Sequence, residues 1–141
     1  MKIEKKVFVI VFRKSSDKLE LLCLKPNPEP GRNTDYYVVT GSIDNGETKE
    51  EAVNREVFEE IGIQPISIIN LNDKIKYTDH ITKEKFIEYC YGAEINDDVQ
   101  KLNEEHVRYK WVSDHDFVKS IWWDDDKAKL QKMVSKISGC N

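Results

Sequence analysis

The stretch GSIDNGETKEEAVNREVFEEIGI, residues 41–63, decides the fold of this chain. Thr48 stands where a helix N-cap is expected, and Glu51 three residues later completes a capping box. Apolar residues then recur with helical spacing up to Gly62, and glycine commonly ends a helix because it adopts the left-handed conformation at little cost. The pattern therefore predicts one well-defined helix between Thr48 and Gly62.

The predicted helix has two chemically different faces. Because successive residues turn by about 100° around the axis, Glu56, Glu59 and Glu60 fall within roughly one-third of the circumference. The adjoining face carries aliphatic residues that repeat every four positions: Val53, Val57 and Ile61. We expect the apolar face to pack on a sheet and the carboxylates to stay on the open side.

The three carboxylates of this face favour a divalent cation. Like charges one helical turn apart repel each other by a few tenths of a kcal/mol. A hard cation such as Mg²⁺ relieves that repulsion, and it usually binds through a few carboxylates together with substrate phosphates. An acidic helix face is in many proteins only a solvated surface, and the predicted pair of Glu47 with Arg55 can be an ordinary surface ion pair. Spacing alone leaves both interpretations open.

The rest of the chain predicts strands that outnumber helices. Apolar or alternating runs typical of strands lie at residues 7–12, 19–24, 36–40, 66–69, 74–77, 86–93 and 107–112. Ser113 and Asp116 cap a short helical turn, and residues 124–137 form an amphipathic terminal helix pattern. Residues 26–35, which contain three prolines, predict a long loop. The expected fold class is α+β, with a mixed sheet between helices.

Composition narrows the class of protein. A chain of 141 residues without a repeat or linker predicts one domain over residues 1–141. The net charge of −4 gives no basic excess for nucleic acid. The sequence has neither an apolar run near the roughly 20 residues of a membrane span nor a leader peptide, so we expect a cytoplasmic protein without a membrane partner. Cys23, Cys90 and Cys140 are too widely spaced for a disulfide framework or a zinc site, which predicts reduced thiols.

These residues resemble the Nudix box of the MutT-like Nudix hydrolases. Gly41 is followed after five residues by Glu47 and, after seven more, by REVFEEIGI at residues 55–63, so every position of the pattern is met. The strand order and the terminal helix are also similar to the α/β/α sandwich of that family, with its mixed sheet between helices. The resemblance covers the box directly and extends to the whole chain as one domain.

The resemblance implies a pyrophosphohydrolase in which metal-activated water cleaves a diphosphate linkage, with Mg²⁺ or in its place Mn²⁺ as the cofactor. The family motif assigns catalytic roles to Glu47, Arg55, Glu56 and Glu59. It assigns metal binding to Gly41, Glu56, Glu59 and Glu60. Which glutamate is the general base stays open.

A later segment adds another carboxylate. Family members often recruit one from a loop ahead of a strand, and the run Glu104-Glu105-His106 is similar to that loop. Glu105 is the candidate metal ligand, with Glu104 in reserve. The alternative is that these are ordinary loop residues and that His106 is a surface histidine.

The resemblance implies a small nucleoside or pterin polyphosphate as substrate. The run VTGSI at residues 39–43 departs from the Leu-Pro-Gly-Gly sequence of enzymes that hydrolyse oxidised purine triphosphates. That run, the Glu105-His106 pair and residues 109–111 and 119–122 are similar to the dihydroneopterin triphosphate pyrophosphatase branch. Diadenosine polyphosphate hydrolases share the Glu-His pair and are the alternative. A non-catalytic nucleotide-binding module is a third possibility, although such modules usually lose box carboxylates.

Candidate substrate-binding residues come from aromatic and basic side chains. A base or pterin ring needs a flat partner, and stacking contributes roughly 1 to 3 kcal/mol. The candidates for substrate binding are Lys25, Tyr36, Thr40 and Trp122, with Tyr37 and Trp123 as further aromatic residues. Core packing explains such aromatic residues equally well, and the two tryptophans also fit a homodimer contact.

Overall fold

The computed structural model describes residues 2–31, 35–123 and 127–139. Within them the chain forms six strands and three helices. In chain order these are β1 (Ile3–Ser15), β2 (Lys18–Pro26), β3 (Val39–Ser42), α1 (Lys49–Ile61), β4 (Ser67–Thr78), β5 (Lys85–Glu94), β6 (His106–Val112), α2 (Asp114–Ser120) and α3 (Ala128–Ser138).

Strand β1 forms the centre of a mixed sheet with the order β4-β5-β1-β2-β6. It pairs in parallel with β5 over residues 3–12, so β5 takes one of its edges. The other edge is shared, because residues 12–15 of β1 pair with β2 and residues 6–9 pair with β3. The beginning of β1 therefore carries β3, and its end carries β2 and, beyond it, β6.

Helices cover both faces of the sheet. Phe8 and Ile10 of β1 pack in one apolar cluster with α2 and α3, whereas Val7 and Val9 pack in a second cluster with α1. A central strand that is buried on both faces needs apolar residues at every position, which explains the continuous run at residues 7–12. The predicted α/β/α sandwich with a mixed sheet is confirmed.

Helix α1 is fixed at both ends by the residues that predict it. The Glu51 backbone donates to the Thr48 hydroxyl at 3.1 Å, and the Thr48 backbone donates to the Glu51 carboxylate at 2.8 Å. Gly62 ends the helix at a φ of 77°, which is unfavourable for residues with a Cβ atom. The buried valine and isoleucine side chains each contribute roughly 1.5 to 3 kcal/mol. That gain outweighs the few tenths of a kcal/mol of repulsion among the glutamates.

Strand β4 corrects the prediction of two separate strands. The predicted strands at residues 66–69 and 74–77 belong to one strand, which begins at Ser67 and has an irregularity in its pairing with β5. Asn72 has a φ of 54° there, and its backbone donates to the Asn70 side chain at 2.8 Å. Asparagine tolerates this left-handed conformation, so the strand continues through residues 70–73. The polar residues of this stretch resemble the sequence of a turn.

Strand β3 begins later than predicted, at Val39 instead of residue 36. The Tyr36 carbonyl accepts a hydrogen bond from the Trp122 backbone at 2.9 Å, and Tyr37 forms a single bridge to β2. The segment before Val39 therefore connects β2 with the chain after α2 instead of extending the β1 pairing.

The last two helices follow the predicted pattern. Ser113 caps α2 by accepting a hydrogen bond from the Asp116 backbone at 3.1 Å. α3 begins at Ala128, and residues 124–126 of its predicted start lie outside the described residues. Among the helices of the described residues, none combines the length and the apolar character that a membrane crossing requires.

The cysteines behave as unreactive core residues. Cys23 and Cys90 are buried and free, as predicted. Burial raises the pKa of each thiol to about 12, so the nucleophilic thiolate is scarce at neutral pH. Cys140 lies outside the described residues.

Removing the cap of α1 tests how far local signals stabilise the helix. We expect Thr48→Ala to lower the free energy of unfolding by about 1 kcal/mol, because the hydroxyl acceptor for the Glu51 backbone is lost. The melting temperature should fall by roughly 2 to 6 °C. Thr48→Ser keeps the hydroxyl and should melt close to the wild type. Circular dichroism melts that show no difference between the alanine variant and the wild type would contradict the role of the cap.

Candidate active site

Arg55 connects the loop before α1 to the helix itself. Its guanidinium donates to both carboxylate oxygens of Glu47, from Nε at 2.8 Å and from Nη2 at 2.9 Å. Nη1 donates to Glu56 at 2.6 Å and to Glu59 at 3.1 Å. Nη2 also donates to the Ser42 carbonyl at 2.8 Å. The predicted pair of Glu47 with Arg55 is therefore part of a network and not an isolated surface ion pair.

Gly41 allows β3 to approach the carboxylate of Glu56. A Cβ atom at residue 41 would lie 1.5 Å from Oε2 of Glu56, so any side chain there displaces the carboxylate. The glycine is required for space, since Gly41 is not among the residues with a left-handed φ. The Glu56 side chain is 13% exposed, which leaves it accessible beside the strand.

Glu60 corrects the prediction that all three helix carboxylates stay on the open side. It is only 2% exposed, because the segment before β6 folds back over the end of α1. The backbone N–H groups of Gln100 and Lys101 donate to the Ile61 carbonyl at 2.9 and 3.1 Å. That of Asn103 donates to the Glu60 carbonyl at 3.2 Å. This covering segment is distant in sequence, so helix periodicity does not reveal it.

The covering segment brings Glu105 and His106 to the end of α1. Nε2 of His106 lies 2.7 Å from Oε1 of Glu60. The atoms of Glu60, Glu105 and His106 that can bind a metal lie within 4.8 Å of one another. Glu104 is exposed and lies outside this group. The structure thus places Glu105, and not Glu104, beside the helix carboxylates.

Burial and mutual repulsion shift the acidic groups. Burial raises the pKa of Glu56 to about 7, and the neighbouring Glu60 adds to the increase. Burial also raises the pKa of Glu60 well above its ordinary value, with a further increase from Glu105. In contrast, hydrogen bonds from Arg55 lower the pKa of Glu47 to about 2. Without a cation, the inner carboxyls of the site therefore resist ionisation.

The residues of the site fit a divalent cation. Oε2 of Glu60 is buried and has no hydrogen-bond partner in the described part of the chain. An ionised carboxylate without a partner in such a place costs several kcal/mol. Glu56, Glu59 and Glu105 supply further oxygen donors, which are the ligands that Mg²⁺ prefers.

The substrate candidates fall into two groups. Tyr36 and Trp122 line one surface depression of about 390 Å³, and the Lys25 ammonium lies 5.3 Å from the centroid of the Tyr36 ring. Thr40 lies on β3 next to Gly41 and pairs in register with β1, away from the residues that line this depression. Tyr36, Lys25 and Trp122 are thus brought together. Thr40 pairs with Phe8 on the α2 and α3 side of the sheet, so the structure does not place its side chain with the carboxylates.

Two residues that were not among the candidate site residues, His106 and Lys110, lie beside candidates in the structure. His106 contacts Glu60, and the Lys110 ammonium lies 4.5 Å from the centroid of the Tyr36 ring. Strand alternation could have found Lys110, because Tyr109 and Trp111 pack in the α1 cluster and leave Lys110 on the opposite face. No local signal indicates the contact of His106, since it joins residues 46 positions apart.

The fold and the site together define a class of protein. An α/β/α sandwich with clustered carboxylates at the end of a helix fits a hydrolase that acts on phosphorus anhydrides. Residues 3–132 match the family model described as NUDIX domain. The chain belongs to this family and is a Nudix hydrolase, which confirms the resemblance of the box.

Solved structures share the fold across nearly the whole chain. A C. elegans Ap4A hydrolase in a binary complex is 23% identical, with 96% of each chain covered and a TM-score of 0.72. The NUDIX domain of Shewanella oneidensis NrtR, complexed with ADP ribose, is 18% identical over 98% of this chain and 90% of that chain, with a TM-score of 0.74. The E. coli dihydroneopterin triphosphate pyrophosphohydrolase is 18% identical over 96% and 97%, with a TM-score of 0.71. No curated protein sequence matches the chain.

The raised carboxyl pKa values predict a pH-dependent stability that a divalent cation reverses. Because Glu56 and Glu60 bind protons more tightly in the folded state, their contribution is fully present below about pH 4.5 and is lost as the pH rises through about 7 and beyond. We expect the melting temperature in EDTA to fall by several degrees between about pH 5.5 and 7.5. Millimolar MnCl₂ should raise it more at the higher pH. A metal-induced shift of equal size at both pH values would contradict the assignment.

Proposed function

We propose that this chain is a divalent-metal-dependent pyrophosphohydrolase that converts a nucleoside or pterin triphosphate to a monophosphate and pyrophosphate. The main supporting observation is the group of Glu60, Glu105 and His106, in which Oε2 of Glu60 is buried without a hydrogen-bond partner among the described residues. Glu56 lies close enough for Glu60 to raise its pKa. Mg²⁺ is the expected cofactor, and Mn²⁺ fits the same oxygen donors.

The contacts of each candidate residue support its role. Glu47 and Arg55 hold the helix carboxylates in place through the hydrogen bonds of the guanidinium. Metal binding is proposed for the carboxylates of Glu56, Glu59, Glu60 and Glu105. The backbone of Gly41, which lies beside Glu56, is proposed as a further metal ligand. When bound, divalent cations neutralise the bridging phosphates and lower the pKa of a bound water.

The proposed reaction is attack by water on a phosphorus atom of the α–β bridge. A bond forms between the water oxygen and that phosphorus, the bond to the bridging oxygen breaks, and pyrophosphate leaves. The proton of the water passes to a carboxylate acting as general base. Glu59 and Glu56 are the candidates, since the Glu59 side chain is 52% exposed and the pKa of Glu56 is raised to about 7.

The substrate ring is proposed to lie in the depression that Tyr36 and Trp122 line. Tyr36 and Trp122 offer flat surfaces, and Trp122 is 37% exposed. Lys25 is the candidate for a phosphate contact by charge attraction, because its strand leads directly to Asn27, whose backbone donates to the Glu105 carbonyl at 2.8 Å. Thr40 stays a candidate for a substrate contact from the α2 and α3 side of the sheet, where its partner Phe8 packs.

Two other functions remain as competing hypotheses. A diadenosine polyphosphate hydrolase would use the same carboxylates and must bind a second ring. The exposed side chain of Trp122 can stack on that ring. A binding-only module needs no base, and this chain keeps every box carboxylate. We further propose one domain over residues 1–141, a cytoplasmic location, no nucleic-acid or membrane partner, and a homodimer. Trp122 and Trp123 fit a contact between subunits as well as they fit the ring site.

Removing single carboxylates tests the catalytic assignment. We expect Glu56→Gln and Glu59→Gln to lower kcat by about 10² to 10⁴-fold, because each removes a metal ligand or the base without changing side-chain shape. Activity is measured as phosphate release, after coupling to inorganic pyrophosphatase, from ATP, GTP and dihydroneopterin triphosphate with MgCl₂, and Ap4A cleavage is followed by chromatography.

The exposed Asp17, in the turn between β1 and β2, provides the matched control. Asp17→Asn removes the same type of charge and should leave activity unchanged. Wild-type activity in both glutamine variants would refute the assignment. Nucleotide binding by calorimetry without turnover on any compound of the panel would favour the binding-only module.

A further inference from the structure

The largely covered histidine beside Glu60, His106, has no step in the proposed reaction. The side chains of His106 and Glu60 are only 10% and 3% exposed. His106 is held from two directions, since it pairs with Pro26 of β2 and its backbone donates to the Asn103 carbonyl at 3.3 Å. Asn103 in turn donates to the Glu60 carbonyl. The imidazole is therefore fixed relative to the end of α1.

The surroundings of the ring decide which nitrogen of His106 carries the proton. Nδ1 is buried and has no hydrogen-bond partner in the described part of the chain. A proton on Nδ1 would leave a buried donor unpaired, whereas a proton on Nε2 faces Glu60 at 2.7 Å. An ionised carboxylate only accepts hydrogen bonds, so the metal-binding form of Glu60 requires Nε2–H as the donor.

The two carboxylate oxygens of Glu60 have different surroundings. Oε1 is taken by His106, and Oε2 is the buried oxygen without a partner. We propose that His106 is a positioning residue that holds Glu60 through Oε1, so that Oε2 is presented to a metal ion while the imidazole stays outside the coordination shell. The inference rests on the proposed function, because it requires a divalent cation at this site.

The physical gain is preorganisation of a flexible ligand. A glutamate has several rotatable side-chain bonds, and a metal ion that orders them loses binding free energy. A hydrogen bond from a fixed ring orders the carboxylate before the metal arrives. Residues that orient metal ligands in this way typically change metal affinity or activity by about 10 to 100-fold when they are removed.

The test compares Mn²⁺ binding by electron paramagnetic resonance in four proteins. His106→Leu removes the donor and should weaken Mn²⁺ binding by about 10 to 100-fold. His106→Gln places an amide N–H near the position of Nε2 and should bind Mn²⁺ within a few-fold of the wild type. His115→Leu removes an exposed histidine on α2 and is the matched control. Melting curves in EDTA establish that each variant is folded.

Spin-echo spectra of wild-type protein with Mn²⁺ decide whether the ring is a ligand. We expect no ¹⁴N coupling of a directly bound imidazole. Such a coupling, unchanged affinity in His106→Leu, or a glutamine variant as weak as the leucine variant would each overturn the proposal. If His106→Leu fails to fold, the glutamine variant and the spin-echo spectrum still decide. A wild type that binds no Mn²⁺ would instead refute the proposed metal dependence itself.

Discussion

The site depends on the charge balance around the Arg55 guanidinium. One cation donates to Glu47, Glu56 and Glu59 within 2.6 to 3.1 Å and also to the Ser42 carbonyl. The loop after β3 and the first carboxylates of α1 are thereby held as one unit. Charge-assisted hydrogen bonds of this kind are about twice as strong as neutral ones. Without the guanidinium, Glu47, Glu56 and Glu59 would lose the charge that offsets their mutual repulsion.

Arg55 balances the outer carboxylates but does not contact Glu60. Glu60 lies deeper, under the segment that leads to β6, and its pKa is raised by burial and by Glu105. The apolar face of α1 supplies several kcal/mol of burial, which allows the helix to carry this unfavourable charge. The buried Glu60 carboxylate lowers the stability of the fold, and we expect a bound cation to restore it. Residues that lower stability in this way are typical of functional sites.

Local signals account for most of the fold. The Thr48 and Gly62 ends of α1 follow from the sequence, because caps and left-handed glycines act within a few residues. The irregularity around Asn72 does not follow, since a polar interruption in the sequence looks the same whether it ends a strand or lies within one. The burial of Glu60 and its contact with His106 also escape prediction, because they depend on a segment that returns from about 40 residues away.

The position of bound Mn²⁺ shows whether the carboxylates of α1 and Glu105 form a metal site. A crystal structure of the wild-type protein grown with Mn²⁺ and a non-hydrolysable triphosphate analogue would show each Mn²⁺ ion by anomalous scattering. We expect anomalous density between the analogue phosphates and the carboxylates of Glu56 and Glu60, with Glu105 beside it. Anomalous density confined to other parts of the molecule, or its absence at these carboxylates under saturating Mn²⁺, would refute metal binding at this site.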